Sequence, residues 1–456
     1  MARTTDKTEI FERMSVPKAL AVMAIPTVIS QIIALIYNMA DTWFIGMTDN
    51  PYMVAATSLV GTVYLLTAGV ANLFGVGGGS LVVRLMGSKE PEEARKVASL
   101  SLVMAGGASL IFSALCLVFM NPLLRLLGAS DMTIGYARQY LLCVVILGGL
   151  PTVLSSTMSS MLRNVGNSRE AGFGVGLGGV LNMILDPIFM FVLLPDGWEV
   201  LGAALATMTS NVISFIYFIC VYRRVSGEGL LEIPRRIEKI RPESMGSIFS
   251  VGVPAAMGLV LYDLTNMVIN RLSSSHGDLE LSAIGIVLKV ERLPQNVCIG
   301  ICLGMMPLIA YNYAAKNKER MMEVFRAARV AGCVVCLISL VLYRSFASQI
   351  IHAFIDEPAT VAFGTEYLRI RSFAAIFMFL SFHVVHFMQA VNQGKTSLGL
   401  AAIRQLCLNI PILIILNHIF GMIGVVWTQT VADSINVVAS YLIFNHVRKR
   451  GGYDRL

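Results

Sequence analysis

Charge is what this sequence lacks. Only 14% of its 456 residues are Asp, Glu, Lys or Arg, against about a quarter in ordinary soluble domains. So few ionised side chains cannot clothe a water-exposed surface, which excludes a soluble enzyme. Histidine, with six residues, and tryptophan, with three, are scarce as well. The eight cysteines, Cys116, Cys143, Cys220, Cys298, Cys302, Cys333, Cys336 and Cys407, all sit in apolar stretches, so no disulfide framework is expected. The first residues, MARTTDKTEIFERM, hold no apolar core and no small-residue cleavage site, so no signal peptide is expected to be removed. What abounds is apolar: 56% of the chain is hydrophobic, far too much for disorder. The composition is that of a polytopic membrane protein.

A bilayer core of roughly 30 Å takes about 20 apolar residues to cross as a helix. Twelve such runs are predicted, at roughly 19–46, 53–83, 97–120, 134–162, 172–194 and 202–222, then 245–271, 281–313, 324–343, 367–390, 397–418 and 423–446. Basic residues set their direction, because cytoplasmic loops collect Lys and Arg. One set of connections carries Arg84, Lys89, Arg95 and Lys96, Arg163 and Arg169, the run Arg223 to Arg241, Lys316 to Arg329, Lys395, and Arg448 to Arg450. The alternate connections, TDNPY at 48–52 and PDGWE at 195–199 among them, carry none. Arg125, Arg138, Arg271, Arg344, Arg369 and Arg371 are the exceptions, expected at helix ends. Both termini are therefore expected on the cytoplasmic side. Trp43, Trp198 and Trp427 at the outer ends of spans agree with that placement. The net charge of +7 reads as basic loops, and no nucleic-acid partner is expected.

The two halves repeat one another. Pro26 and Pro254, and Asn38-Met39 and Asn266-Met267, lie 228 residues apart; Gly77 and Gly304, Lys89 and Lys316, and Tyr140-Leu141 and Tyr367-Leu368 lie 227 apart. The turns VGNS at 165–168 and QGKT at 393–396 match at 228. An even number of spans per copy gives both copies one orientation, related by an axis along the membrane normal. The expected organisation is an all-α integral membrane protein with an N-terminal six-helix bundle (1–222), a basic cytoplasmic linker (223–243) and a C-terminal six-helix bundle (244–456). Duplication of this kind belongs to transporters built as two bundles around a central path.

Three motifs suggest other chemistry and fail. Gly174 to Gly179 spell G-x-G-x-x-G, but no strand precedes them, so close packing of a membrane helix is the better account. Cys333-x-x-Cys336 has no second ligand pair. His383-x-x-His386 stands without the further histidine boxes a di-iron enzyme needs, so no metal is expected.

Ionisable residues inside the spans carry the functional information, because a charge in hydrocarbon must be paired, protonated or hydrated. In the first half these are Asp41, on a helix face with Tyr37 and Asn38, and Asp186, one turn after Asn182. Neither has a base nearby in sequence, and both fall in the outer half of the bundle; a structural polar contact, or a kink at Asp186-Pro187, is the alternative. In the second half Asp263 lies by Asn266, while Lys289, Glu291 and Arg292 cluster on span 8 and Asp433 lies within span 12. Here a structural network among Lys289, Glu291 and Asp263 and a transport role both remain open.

AIPTVISQIIALIYNMADTWFIG at 24–46, LNMILDPIF at 181–189, LGAALAT at 201–207 and GMMPLIAYNYAAKN at 304–317 resemble the multidrug and toxic compound extrusion (MATE) family, most nearly its prokaryotic DinF-like branch. The likeness runs the length of the chain. It implies two six-helix bundles forming a V-shaped cleft and the export of amphipathic, often cationic compounds in exchange for H⁺ or Na⁺. It also implies a first-lobe site of Asp41, Tyr37, Asn182, Asp186 and Thr207. A second cation site in the other lobe is left open, because Asp263 lies near, and not on, the position of the acid that such a site carries on span 7.

The expectation is thus a plasma-membrane antiporter, favouring H⁺ over Na⁺, with Asp41 as coupling carboxylate and Asp186 as its partner. It would act on small organic cations, as a monomer in the bilayer, without a cofactor. The 25 methionines, Met183, Met190, Met257 and Met267 among them, suit an adaptable binding surface or are ordinary membrane filler. The alternative is a lipid-linked saccharide flippase of the same superfamily, which would use Lys289 and Arg292 in a cationic cavity. A membrane enzyme or a channel finds no nucleophile cluster, charged ring or filter here. The orientation is testable: in a cysteine-free background, Arg235→Cys should resist an impermeant thiol reagent in intact cells while cysteines in 47–52 react. Strong labelling of Arg235→Cys from outside would overturn it.

Overall fold

Hydrocarbon offers no partner for backbone N–H and C=O groups, so apolar runs of this length must satisfy them internally as helices. The computed structural model describes residues 7–226, 231–233 and 240–450, and among these there is no strand. Arg235, Arg236 and Lys239 of the predicted basic linker lie outside the described residues.

Twelve helical rods follow one another, hereafter spans 1 to 12. Spans 1 to 6 are Val16–Gly46, Pro51–Gly87, Pro91–Val118, the bent pair Ile134–Leu147 and Gly149–Asn164, Ser168–Leu193 and Glu199–Val225. Spans 7 to 12 are Pro242–Ser273, Asp278–Ala314, Lys318–Ser345, the bent pair Pro358–Arg371 and Ala374–Ala390, Gly394–Phe420, and Met422–Arg450. Among the described residues nine are each long and apolar enough to cross a membrane, and the bent pairs bring the number to eleven. Span 12 is as long but carries Gln429, Asp433 and Asn436 in its middle. The rods match the twelve predicted runs. They overrun them at the ends, because helices extend past the hydrocarbon into turns the apolar pattern cannot mark.

The repeat is visible in the backbone. Left-handed φ angles occur in matched turns: Asp49 and Gly277, Lys89 and Lys316, Gly166 and Asn392, and Gly197 and Gly421, at offsets of 228, 227, 226 and 224. Spans 4 and 10 are both bent, by 47° and 44°, and each follows a short helix, Met120–Leu126 and Ala347–His352. The turn after spans 4 and 10 registers differently from the sequence match. Asn167 and Gln393 are the equivalent residues, their N–H groups donating to the Leu162 and Met388 carbonyls. The offset there is 226 and not 228.

The chain forms two compact units: residues 29–256 belong to the first, and residues 8–28 with those from 257 onward belong to the second. These differ from the expected halves, 1–222 and 244–456, in that spans 1 and 7 each divide between units. Both divisions fall just after a proline, Pro26 and Pro254. Glycine explains the exchange. In the second unit a Cβ on Gly300 would lie 2.7 Å from Val28 Cα, and one on Gly304 2.6 Å from Ala24 Cα. In the first, a Cβ on Gly77 would lie 2.3 Å from the Ile248 oxygen, and one on Gly252 2.0 Å from the Leu73 oxygen. The leading half of each crossing helix is thus seated backbone to backbone on its neighbour. Residues before span 1 add a strap within the second unit: Phe11 is fully buried, stacked on Tyr311 at 4.8 Å, and Arg320 Nε donates to its carbonyl at 2.6 Å.

Gly252→Ala should therefore lower the thermal stability of the detergent-solubilised protein by about 1–3 kcal/mol. Gly258→Ala on the same helix, where a Cβ meets nothing within 4 Å, should change it by less than about 0.5 kcal/mol. Equal effects would refute the close-packing account.

Candidate functional site

The first unit gathers its polar residues around span 5. Asn182 and Asp186 lie one turn apart on the same face and are buried, Asp186 completely. Asn182 Nδ2 donates to Asp186 Oδ1 at 3.1 Å and to Thr207 Oγ1 of span 6 at 3.2 Å. The glycine run ahead of them permits this. A Cβ on Gly174 would strike the Phe218 ring at 2.4 Å, and one on Gly179 would lie 2.9 Å from Tyr37 Cδ1. The G-x-G-x-x-G stretch is a packing surface that seats span 6 on one side and Tyr37 of span 1 on the other. Asp41, one turn after Tyr37, has Oδ1 buried without a partner; Asp186 Oδ2 and Asn182 Oδ1 are likewise unpartnered.

Sequence reasoning missed two tyrosines here. Tyr64 and Tyr140 lie within electrostatic reach of Asp41, and Tyr140 also of Asp186 and beside Thr207. Tyr64 faces Asn211 and Thr152, which are joined by an Asn211 Nδ2 to Thr152 Oγ1 hydrogen bond of 2.9 Å. Tyr140 was legible only as a marker of the repeat. Asn38 is exposed; its side chain lies within hydrogen-bonding reach of Tyr37, and its Nδ2 donates to the Ala34 carbonyl at 2.6 Å on its own helix. Among the described residues no Lys or Arg forms an ion pair with Asp41 or Asp186. Their charge can be neutralised only by a proton, a bound cation or a cationic ligand.

The second unit solves the same problem with arginine. Glu291 and Arg371, both buried, form a two-pronged pair, Nε to Oε1 and Nη2 to Oε2, each 2.9 Å. Arg404 grips Asp433 in the same way at 2.7 and 3.0 Å, and Gln429 Nε2 donates to Asp433 Oδ2 at 2.5 Å. The expected network of Lys289, Glu291 and Asp263 is not the one formed. Lys289 is exposed, and Asp263 faces Arg292 and Asn266. Arg371, expected at a helix end, lies just before the bend in span 10, which carries it into the interior.

His383 and His386 do not converge. His383 is buried with Nε2 3.0 Å from the Phe325 oxygen, and His386 Nδ1 is 2.8 Å from the Phe382 oxygen. Among the described residues no three His, Cys, Asp or Glu side chains are placed to hold a metal. Cys298 and Cys336 approach to 3.6 Å between sulfurs inside an apolar cluster with Cys302 and Phe379.

Residues 26–188 and, separately, 254–415 match the MatE family. The chain belongs to the MatE family. The two matched segments are the two copies of the repeat, and the family is the one the four sequence motifs resemble. This MatE protein is 30% identical over 442 residues to the multidrug export protein MepA of Staphylococcus aureus (strain N315), covering 96% of each chain. Its fold is that of two solved structures, a MATE in complex with MaD3S (TM-score 0.92, 22% identity, 99% of this chain and 100% of that one) and a multidrug resistance MATE family transporter of the MOP superfamily in an outward-facing conformation (TM-score 0.89, 23% identity, all of both chains).

Breaking a buried pair strands a charge. Arg371→Met should cost about 3–5 kcal/mol of stability. Adding Glu291→Gln should recover most of that loss, while Lys289→Met should stay within about 0.5 kcal/mol of wild type. Thermal melts of the four proteins decide the matter; a Lys289→Met protein as unstable as Arg371→Met would restore the network read from the sequence.

Proposed function

We propose that this MatE protein is a proton-coupled antiporter of the plasma membrane that exports amphipathic organic cations, with both termini in the cytoplasm and the monomer as the working unit. One observation carries the reading: two carboxyl groups in spans 1 and 5, Asp186 buried and Asp41 half-buried with its Oδ1 enclosed, have no basic partner among the described residues. The identity with a protein named for multidrug export supports the substrate class. A carboxyl group in this setting serves one cation at a time. Ionised, Asp41 attracts a cationic substrate; protonated, it loses that attraction and becomes a hydrogen-bond donor. Proton and substrate thus exclude each other at one group, which is the requirement for exchange. A proton needs one carboxyl oxygen, whereas sodium needs a shell of about five or six oxygens of any kind; the buried unpartnered oxygens described at the site are Asp41 Oδ1, Asp186 Oδ2 and Asn182 Oδ1, and so small a set favours H⁺. No cofactor enters.

One-for-one exchange of H⁺ for a monovalent organic cation moves no net charge, so the pH gradient alone drives it, and each pH unit, about 1.4 kcal/mol, holds a cation gradient of about tenfold. The flippase alternative would rest on Lys289 and Arg292; Arg292 lies within electrostatic reach of Asp263, which offsets the cationic character such a cavity would need. Dye efflux from proteoliposomes should follow an imposed pH gradient and fail under a sodium gradient alone. Asp41→Asn should fold and reach the membrane yet lose uphill efflux. Full pH-driven efflux by Asp41→Asn, at matched expression, would remove this carboxyl from the mechanism.

A further inference from the structure

The second unit contains polar atoms that its own side chains do not satisfy. Among the described residues its buried side-chain nitrogens and oxygens without a hydrogen-bond partner are, Ser273 Oγ apart, all on spans 10, 11 and 12. They include Arg371 Nη1, His383 Nδ1, Asn409 Oδ1, Ser440 Oγ, Tyr441 Oη and both amide atoms of Asn436. Asn436, Ser440 and His383 are at most 1% exposed, so neither bulk water nor lipid headgroups reach them directly.

Their order along span 12 is informative. Gln429, Asp433, Asn436 and Ser440 recur at intervals of four, three and four, one face of a helix about 16 Å long. At the Gln429 end lies a cavity of about 10 Å³ lined by Glu291, Gln295, Tyr343, Arg371, Met378 and Gln429, room for a single water molecule. Arg371 Nη1, a donor, is the unpartnered group there. At the other end Tyr441 Oη lies within hydrogen-bonding reach of the Arg329 guanidinium, a donor, which leaves the tyrosine O–H free to donate; Arg329 is also near His383. His383 Nε2 faces a carbonyl oxygen and so donates, which leaves Nδ1 an acceptor. The face thus presents a donor at Arg371, donor and acceptor together at Asn436, hydroxyls at Ser440 and Tyr441, and an acceptor at His383. Water, which both donates and accepts, is the ligand that satisfies such a mixed series; a metal ion or an anion would satisfy only half of it.

We propose that spans 10 to 12 enclose a file of bound water, running from the Arg371 cavity past the Arg404–Asp433 pair to Tyr441 and His383. It hydrates a paired charge that lies deep within the helices and gives that charge a route of proton exchange toward the Arg448 end of span 12. The file is independent of the Asp41 site, and its test does not use transport.

X-ray pulses generate hydroxyl radicals from water where it is bound, and the radicals oxidise adjacent side chains. With the purified protein in ¹⁸O-water, Met378 and His383 should be oxidised at least about tenfold faster than Met53, a methionine as enclosed as Met378 but set in an apolar cluster with Ile45, Ala56 and Val60. Asn436→Leu should fill the file and cut labelling of His383 several-fold while Met378 keeps its rate. If Asn436→Leu does not fold, the wild-type comparison decides alone. Rates at Met378 and His383 no higher than at Met53 would overturn the proposal, and labelling of only one of them would overturn its continuity.

Discussion

Hydrocarbon neither hydrates a charge nor pairs a backbone amide, and the arrangement of this protein follows from meeting that constraint. The backbone meets it with helices, two of the spans bent at short breaks. The side chains meet it in two ways. In the second unit each buried acid is bound by an arginine through two hydrogen bonds, which ties span 8 to span 10 and span 11 to span 12. In the first unit Asp41 and Asp186 have no such partner among the described residues. A paired charge is a fixed element of the fold. An unpaired one must take its partner from outside, and the cation exchange proposed above rests on that difference between the units.

The spans, the repeat and the carboxylates were legible in the sequence because each leaves a local trace. A span is a run, a repeat is an offset, and an acid in a run stands out. Asn182 and Asp186 at i, i+4 gave their contact directly. Partnership was not legible. Glu291 is followed at once by Arg292 and preceded by Lys289, so the sequence offers two near bases, yet the helix points them elsewhere and Arg371, 80 residues away, makes the pair. Arg404 lies inside an apolar run, in the π-helical turn Ile403–Asn409. Tyr64 and Tyr140 belong to apolar stretches in which tyrosine reads as filler. Pairing depends on which helices are neighbours, and adjacent residues do not encode that.

The unit boundaries were hidden for a related reason. Composition changes at the basic linker, so the sequence divides there. Packing divides inside spans 1 and 7, where nothing in the apolar pattern changes. The signals were present as Pro26, Pro254, Gly77 and Gly304, read as evidence of repetition when they were also the means of exchange. A glycine that brings two backbones together assigns half a helix to its neighbour, whatever the other half does.

The two units are copies in backbone and not in charge, and the repeat offsets show how. At the 228-residue offset that relates Asp49 to Gly277, Asp41 corresponds to Ile269, which is buried. At the 227-residue offset of Lys89 and Lys316, Glu291 corresponds to Tyr64, and by the same step Arg371 corresponds to Val144. Acid and base are both present in one copy and both absent from the other, as expected when a lone buried charge costs more than a neutral pair of residues. Where the second copy keeps its ion pair, the first holds Tyr64 within reach of Asp41. The first copy thus has neutral hydroxyl surroundings where the second has a fixed charge pair, with the unpaired carboxyl of Asp41 beside them. The position equivalent to Asp41 in the second copy is the apolar Ile269, so the fold repeats while this carboxyl does not.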